Sequence, residues 1–284
     1  MNRTIRRLAA AAAAASALAL VPLAAASPSA APARAATSAA SSWGLSSGWG
    51  GYVATAPKGS TISEVSATFK VPTALPKNSI GGPVPYGAAM WVGMDGYSKP
   101  GYMGVEQAGL WEGAWGKKSA PTYTLFWEMY PAPPHFLWGI KVKPGDTVQV
   151  IIFAPGEEAN TPNDGKFHLW LGVNGAAVNI AASIAKGATN TRHTAEVITE
   201  TPSHAGSLDM GTIHYTYADY QLRSKASPKP EGPYAVTQTR VYMVYPFSPA
   251  RWASIIPSRS SATDPKHDPG LHDAFTTNFY HAGW

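Results

Sequence analysis

Four stretches of this sequence set a carboxylate or an amide among aromatic and β-branched residues. They are Trp91-Val92-Gly93-Met94-Asp95-Gly96, Val105-Glu106-Gln107-Ala108-Gly109, Phe126-Trp127-Glu128-Met129-Tyr130-Pro131 and Thr194-Ala195-Glu196-Val197-Ile198-Thr199-Glu200. A carboxylate in an apolar setting can take up and return a proton. A primary amide offers two N–H donors to a developing oxyanion and a carbonyl oxygen to a water. Two carboxylates such as Glu128 and Glu196 could instead work a glycosidic bond. A glutamate on a strand also commonly faces solvent on the open side of a sheet, so residue type alone does not choose among these.

Other chemistries fit less well. Cys is absent, which excludes thiol nucleophiles and thiolate metal sites. Gly44-Leu45-Ser46-Ser47-Gly48 matches the serine nucleophile pattern by letters, but it lies in a low-complexity stretch with no strand expected before it. Glycine-rich turns feeding a Lys-Ser/Thr helix are missing. Asp264, His267, Asp268, His272 and Asp273 could ligate a divalent ion, though a solvated loop is the simpler reading. The remaining histidines are scattered and form no H-E-x-x-H helix. No metal and no cofactor is therefore expected.

The elements that must position these residues read as strands. Short Val, Ile, Thr, Tyr, Phe and Trp runs alternate with Pro and Gly, at 64–71, 88–95, 102–110, 122–130, 136–142, 147–153, 166–173, 177–184, 193–199, 212–220 and 236–245. A final strand is expected at 274–280. Pro144-Gly145-Asp146, Asn163-Asp164-Gly165 and Asn174-Gly175 are turn signals. Only 176–186 shows a weak helical period, and the polar, proline-rich 248–270 reads as a long surface loop. This pattern predicts an all-β fold, a two-sheet antiparallel β-sandwich of jelly-roll or concanavalin type. Period-2 geometry places Gln107 with Val105 and Gly109, Glu128 with Phe126 and Tyr130, and Glu196 with Ile198 and Glu200. Glu106 points the other way. One face carrying Gln107, Glu128 and Glu196 is thus geometrically allowed.

The N-terminus reads as an export signal. Arg3, Arg6 and Arg7 precede an alanine- and leucine-rich run, and small residues suited to a signal peptidase follow at Ala24–Ala26 and Ala33–Ala35. The division is 1–35 signal peptide and spacer, 36–48 low-complexity leader, expected to be disordered or a short pro-segment, and 49–284 one folded domain. The alternative, an uncleaved anchor, would have a run barely long enough to span a bilayer. Four of the 22 Lys and Arg (Arg3, Arg6, Arg7, Arg34) lie in the signal segment, leaving 18 against 17 acids. The sequence pI of 9.3 therefore does not argue for nucleic acid. A secreted, extracellular monomer is expected, without a membrane partner once the signal is removed.

In order, Trp49-Gly50-Gly51-Tyr52, Trp91–Gly96, Gln107–Gly109, Trp127–Pro131 and Ala195–Glu200 resemble the glutamic peptidase, or eqolisin, family. The likeness runs from about 49 to 223, and more faintly to the 275–284 end. It implies a β-sandwich of two curved sheets and an acid-acting endopeptidase cutting protein or peptide substrates. By that resemblance Gln107 and Glu196 are the catalytic pair. Glu196 would be the general base and acid, and Gln107 would stabilise the tetrahedral intermediate. Trp91, Asp95 and Glu128 correspond to residues lining the cleft. Trp49, Tyr130 and Glu200, in the same motifs, are added as candidate substrate contacts. Val197 stands where the family has Trp, Met94 where it has Ile, and 246–270 has no counterpart; these departures bear on subsites and maturation more than on the chemistry. A secreted carbohydrate-binding sandwich is the alternative suggested by ten Trp and 13 Tyr.

Overall fold

The computed structural model describes residues 21–22, 42–81, 85–97, 104–159, 161, 163–202, 206–227, 229–236, 239–248, 251–257 and 275–282. The strands are β1 Val21–Pro22, β2 Ser42–Ser46, β3 Trp49–Thr55, β4 Ser60–Lys70, β5 Tyr86–Met94, β6 Val105–Ala114, β7 Thr122–Tyr130, β8 His135–Phe136, β9 Thr147–Phe153, β10 Phe167–Val173, β11 Ala176–Ala182, β12 Thr194–Glu200, β13 Gly206–Ser207, β14 Thr212–Ser224, β15 Glu231–Ala235, β16 Thr239–Ser248, β17 Arg251–Pro257 and β18 Phe275–Ala282. One 3-10 turn, Pro76–Asn78, interrupts them. Among the described residues no helix is long and apolar enough to cross a membrane.

Strand pairing sets out two layers. One runs β8-β7-β6-β5-β12-β3-β16. The other runs β14-β4-β9-β10-β11. At one side β16, β17 and β18 carry hydrogen bonding from the first layer round to β14. At the other side β8 and β11 are not paired with each other, so the sandwich stays open there. Nearly every pairing is antiparallel; β16–β2 and β13–β5 are parallel.

The alternating pattern explains the layering. In β9 the inward Val148, Val150 and Ile152 are fully buried and their neighbours partly exposed. They meet Val65, Ala67 and Phe69 of β4, Leu169 and Leu171 of β10, and Met90, Val92, Ala108, Leu110, Ala195 and Val197 of the first layer in one core. A second, smaller apolar cluster lies on the opposite face of the first layer: Val53, Ala89, Trp91, Val105, Phe126, Ile198 and Val241. The first layer is therefore apolar on both faces, which explains why its strands read as continuous hydrophobic runs.

Polar groups inside the core are few and specific. Thr199 on β12 meets the Tyr215 hydroxyl and the Thr277 hydroxyl, each at 2.8 Å, and Tyr215 donates to the Ile198 carbonyl at 3.2 Å. Two carboxyls on the inward side of β6 are fully buried. Glu106 Oε2 accepts from Asn190 Nδ2 at 2.5 Å. Glu112, opposite Ala88 and Tyr123, has neither oxygen hydrogen-bonded among the described residues. Burial holds the Glu112 carboxyl well above the ordinary range. Burial also raises Glu106, to about 8, with the Asp95 charge adding to it.

Several expectations are corrected. Residues 42–46, assigned to a disordered leader, form β2 against β16. The weakly helical 176–186 contains β11, because hairpin pairing through Asn174-Gly175 outweighs the helix preference of its alanines. The expected strand at 136–142 is two residues long; beyond it Leu137, Ile140 and Val142 pack on the core as loop residues. Within the expected loop 248–270, Arg251–Pro257 is a strand. The candidate ligands Asp264, His267, Asp268, His272 and Asp273 lie outside the described residues, as do the signal-peptidase positions.

Candidate active site

Register brings the singled-out residues into one row. Glu196 on β12 lies opposite Gly93 on β5, Gly93 opposite Gln107 on β6, and Gln107 opposite Glu128 on β7. Directly opposed residues share a face, here the face of the smaller apolar cluster. Glu196 and Gln107 are two strands apart, about 10 Å between backbones, and the residue between them has no side chain. A Cβ at Gly93 would come within 2.9 Å of the Trp91 ring and 3.2 Å of the Glu106 carbonyl oxygen. The indole of Trp91 leans over that glycine, so the Trp91 ring, and not a Cβ, stands above the backbone between the carboxylate and the amide.

Gln107 is oriented by its neighbour: Nε2 donates to Glu128 Oε2 at 2.7 Å. One amide hydrogen is thereby used and a second donor stays available. Gln107 Oε1 is buried with no hydrogen-bond partner among the described residues. Glu196 is held from its other side. Its Oε1 accepts the backbone N–H groups of Gly96 and Tyr97, both at 3.1 Å, while Oε2 is buried and unpartnered among the described residues. Burial pushes Glu196 up to about 8, with the Asp95 charge adding to it, against the pull of the Thr194 hydroxyl and of those two backbone donors. Burial also raises Glu128, partly offset by the Gln107 hydrogen bond.

The other expected residues fall around this row. Trp91 Nε1 donates to Glu200 Oε2 at 2.8 Å, and Trp49 meets Trp91 edge-on at 4.9 Å. Burial lifts Glu200 to about 7, with the Glu128 charge adding to it. Trp49 also covers Gly96, where a Cβ would lie 2.7 Å from its ring, and so backs the turn that holds Glu196. Tyr130 ends β7, opposite Val105, and is 49% exposed. Asp95 is not on the row. Its buried carboxylate accepts Thr191 N–H at 2.5 Å, Thr191 Oγ1 at 2.8 Å, Arg192 N–H at 2.6 Å and His193 N–H at 2.7 Å. Asp95 thus ties down the turn that leads into β12.

Three donors escaped the sequence reading: the Gly96 and Tyr97 N–H groups on Glu196, and the Asn190 amide on Glu106. Gly93 was quoted only as a motif letter. A glycine inside a strand signals close approach, which is the one clue the sequence offered.

The peptidase A4 family model matches residues 47–243. The chain belongs to the peptidase A4 family. This is the glutamic peptidase, or eqolisin, family, and the protein is a peptidase of the glutamic type. Among solved structures, a scytalido-glutamic peptidase carrying a transition state analog inhibitor has a TM-score of 0.56 at 19% identity, over 82% of this chain and 98% of that one. SCP-B, an eqolisin in complex with the tripeptide Ala-Ile-His, gives 0.46 at 17% identity over 82% and 98%. The aspergilloglutamic peptidase of Aspergillus niger gives 0.44 at 18% over 69% and 99%. No curated protein matches the chain. The scytalido-glutamic peptidase bears on the fold, which is the β-sandwich expected for this A4 peptidase.

Proposed function

We propose that this A4 peptidase is a secreted, acid-acting endopeptidase whose general base and acid is Glu196 and whose oxyanion donor is Gln107. One observation carries the reading. Of the unpartnered buried polar atoms, one belongs to Glu196 and one to Gln107, in a single row on either side of Gly93, over which the Trp91 ring leans. A water lying between Glu196 Oε2 and Gln107 Oε1 would satisfy both acceptors. With Glu196 ionised, that water loses a proton to Oε2 as its oxygen attacks the scissile carbonyl. The carbonyl oxygen becomes an oxyanion and takes the free N–H of Gln107, whose other N–H stays on Glu128. Glu196 then returns its proton to the leaving amine. An oxyanion donor of this kind contributes about 3 kcal/mol, or a hundred-fold and more in rate.

The raised Glu196 bears on acid action. Burial, and not its Gly96 and Tyr97 donors, raises the Glu196 carboxyl to about 8. Work as a base at acid pH therefore requires Oε2 to be hydrated, which brings its pKa back toward the ordinary carboxylate range.

Denatured casein incubated at pH 3 to 5 tests the assignment. The protein should cleave it, and Glu196→Gln and Gln107→Ala should each abolish cleavage while circular dichroism stays unchanged. Wild-type turnover by Glu196→Gln would end the proposal. N-terminal sequencing of the exported protein checks the signal-peptide reading.

A further inference from the structure

The open side of the sandwich holds a feature the catalytic row does not use. Between the start of β7, the 138–143 arm and the β10–β11 hairpin lies a cavity of about 830 Å³. Its apolar lining comes from Tyr123, Trp138, Ile140, Val142, Val173 and Val178. This volume is in the range of sites that enclose sizeable ligands. Lys141 and Lys143 stand exposed beside it. Asp146, the acid in its wall, is already engaged, Oδ2 by the Lys143 N–H and Oδ1 by Asn174 Nδ2, both at 2.9 Å. Two lysines against that one carboxylate leave the lining with a net positive charge.

An aromatic path joins this groove to the catalytic row. Phe126 lies two residues from Glu128 on the same face of β7 and pairs with Phe136 on β8, their rings 6.5 Å apart. Phe136 in turn lies 5.2 Å from Trp138. Trp138 is 70% exposed and is also a wall of the groove, so one indole belongs to both. Ala176 and Ala177, on the groove's margin, pair antiparallel with Pro22 and Val21. That edge accepts an extended chain through its backbone groups.

We propose that this groove is an exosite for an extended apolar segment of the protein substrate, flanking the scissile bond and free of basic residues. It rests on the peptidase reading of the catalytic row. Along β7, Tyr123 and Glu128 are five residues, or about 17 Å, apart, and an odd spacing puts them on opposite faces of the strand. A substrate must therefore pass round the β8 edge, at Phe136 and Trp138, and continue for more than about five residues beyond the row before it reaches the groove. A peptide with three residues on each side of the cut bond stops short of it.

Two peptides test the site: a hexapeptide with the scissile bond at its centre, and the same peptide extended by eight uncharged, mainly apolar residues on either side in turn. One of the two extensions should lower KM about tenfold with kcat little changed, as expected for an added aromatic anchor. Trp138→Ala, a substitution of an exposed side chain, should erase that gain and leave the hexapeptide's kcat/KM unchanged. Lysines placed in the extension should weaken the gain. In Glu196→Gln, calorimetric binding of the longer peptide should be about tenfold tighter than in Glu196→Gln/Trp138→Ala. Equal KM values for short and long peptides, or equal losses for both in Trp138→Ala, would overturn the exosite. If wild-type protein cut neither peptide nor casein, the catalytic assignment would fall instead.

Discussion

Glu112 gives a measurable handle on how the interior of this sandwich treats charge. Both its oxygens are buried without a hydrogen-bond partner among the described residues, so its folded form is the neutral acid. The unfolded chain releases the same proton near the ordinary glutamate value of 4.5. Below that pH both states are protonated and the proton costs nothing. As pH rises above it, the unfolded state ionises while the folded state does not, and stability falls by about 1.4 kcal/mol per pH unit until the folded pKa is reached. Between pH 4.5 and 6 this amounts to about 2 kcal/mol. Two variants separate the effects. Glu112→Gln keeps an unpartnered polar group but cannot ionise; it should match wild type at pH 3 and exceed it by about 2 kcal/mol at pH 6. That corresponds to roughly 4–8 °C in Tm. Glu112→Leu also removes the unpartnered polar atoms and should gain a further 1–3 kcal/mol or so at both pH values. Scanning calorimetry at the two pH values reads all of this. A Tm difference between Glu112→Gln and wild type that did not change with pH would show the carboxyl to be solvated or paired, and would refute the argument.

Three further outcomes follow from the site. The acid limb of kcat/KM against pH should fall within about a unit of the ordinary carboxylate range; a limb near pH 8 would mean that Glu196 reacts while closed over, and acid action would fail. Gly93→Ala should force the Trp91 ring aside, lowering kcat/KM on casein at least tenfold and stability by about 1–3 kcal/mol. Asp95→Asn tolerates the same left-handed backbone, φ 67°, but loses the charge received by the Thr191–His193 turn. Denaturant titration should show about 2–4 kcal/mol lost, with kcat falling as β12 loosens. An Asp95→Asn enzyme with normal stability would show that the four hydrogen bonds are not needed.

Where one periodicity governed, the sequence was readable to the residue. β9 has the bounds its alternation predicts, because Val148, Val150 and Ile152 face the core and their neighbours are less buried. Parity likewise sorted Gln107, Glu128 and Glu196 to one face and Glu106 to the other. What stayed hidden was adjacency. Glu196 meets Gly93 from about a hundred positions away, and nothing local in either strand specifies that pairing. The alanines of β11 and the prolines around β17 obscured their strands, since in both cases neighbouring strands, not local preference, decide the conformation. Asp95 shows the limit for the site. In the sequence it resembles a cleft residue, and only the coordinates show its oxygens filled by the backbone of the next turn.

Thr199, on the strand that carries Glu196, is fastened from behind by two hydroxyls, Tyr215 of β14 and Thr277 of β18. Those two strands are hydrogen-bonded to each other, so the pair grips the reverse side of β12 as one clamp. A shift of either strand is therefore passed to the backbone that presents Glu196 without any contact at the row itself.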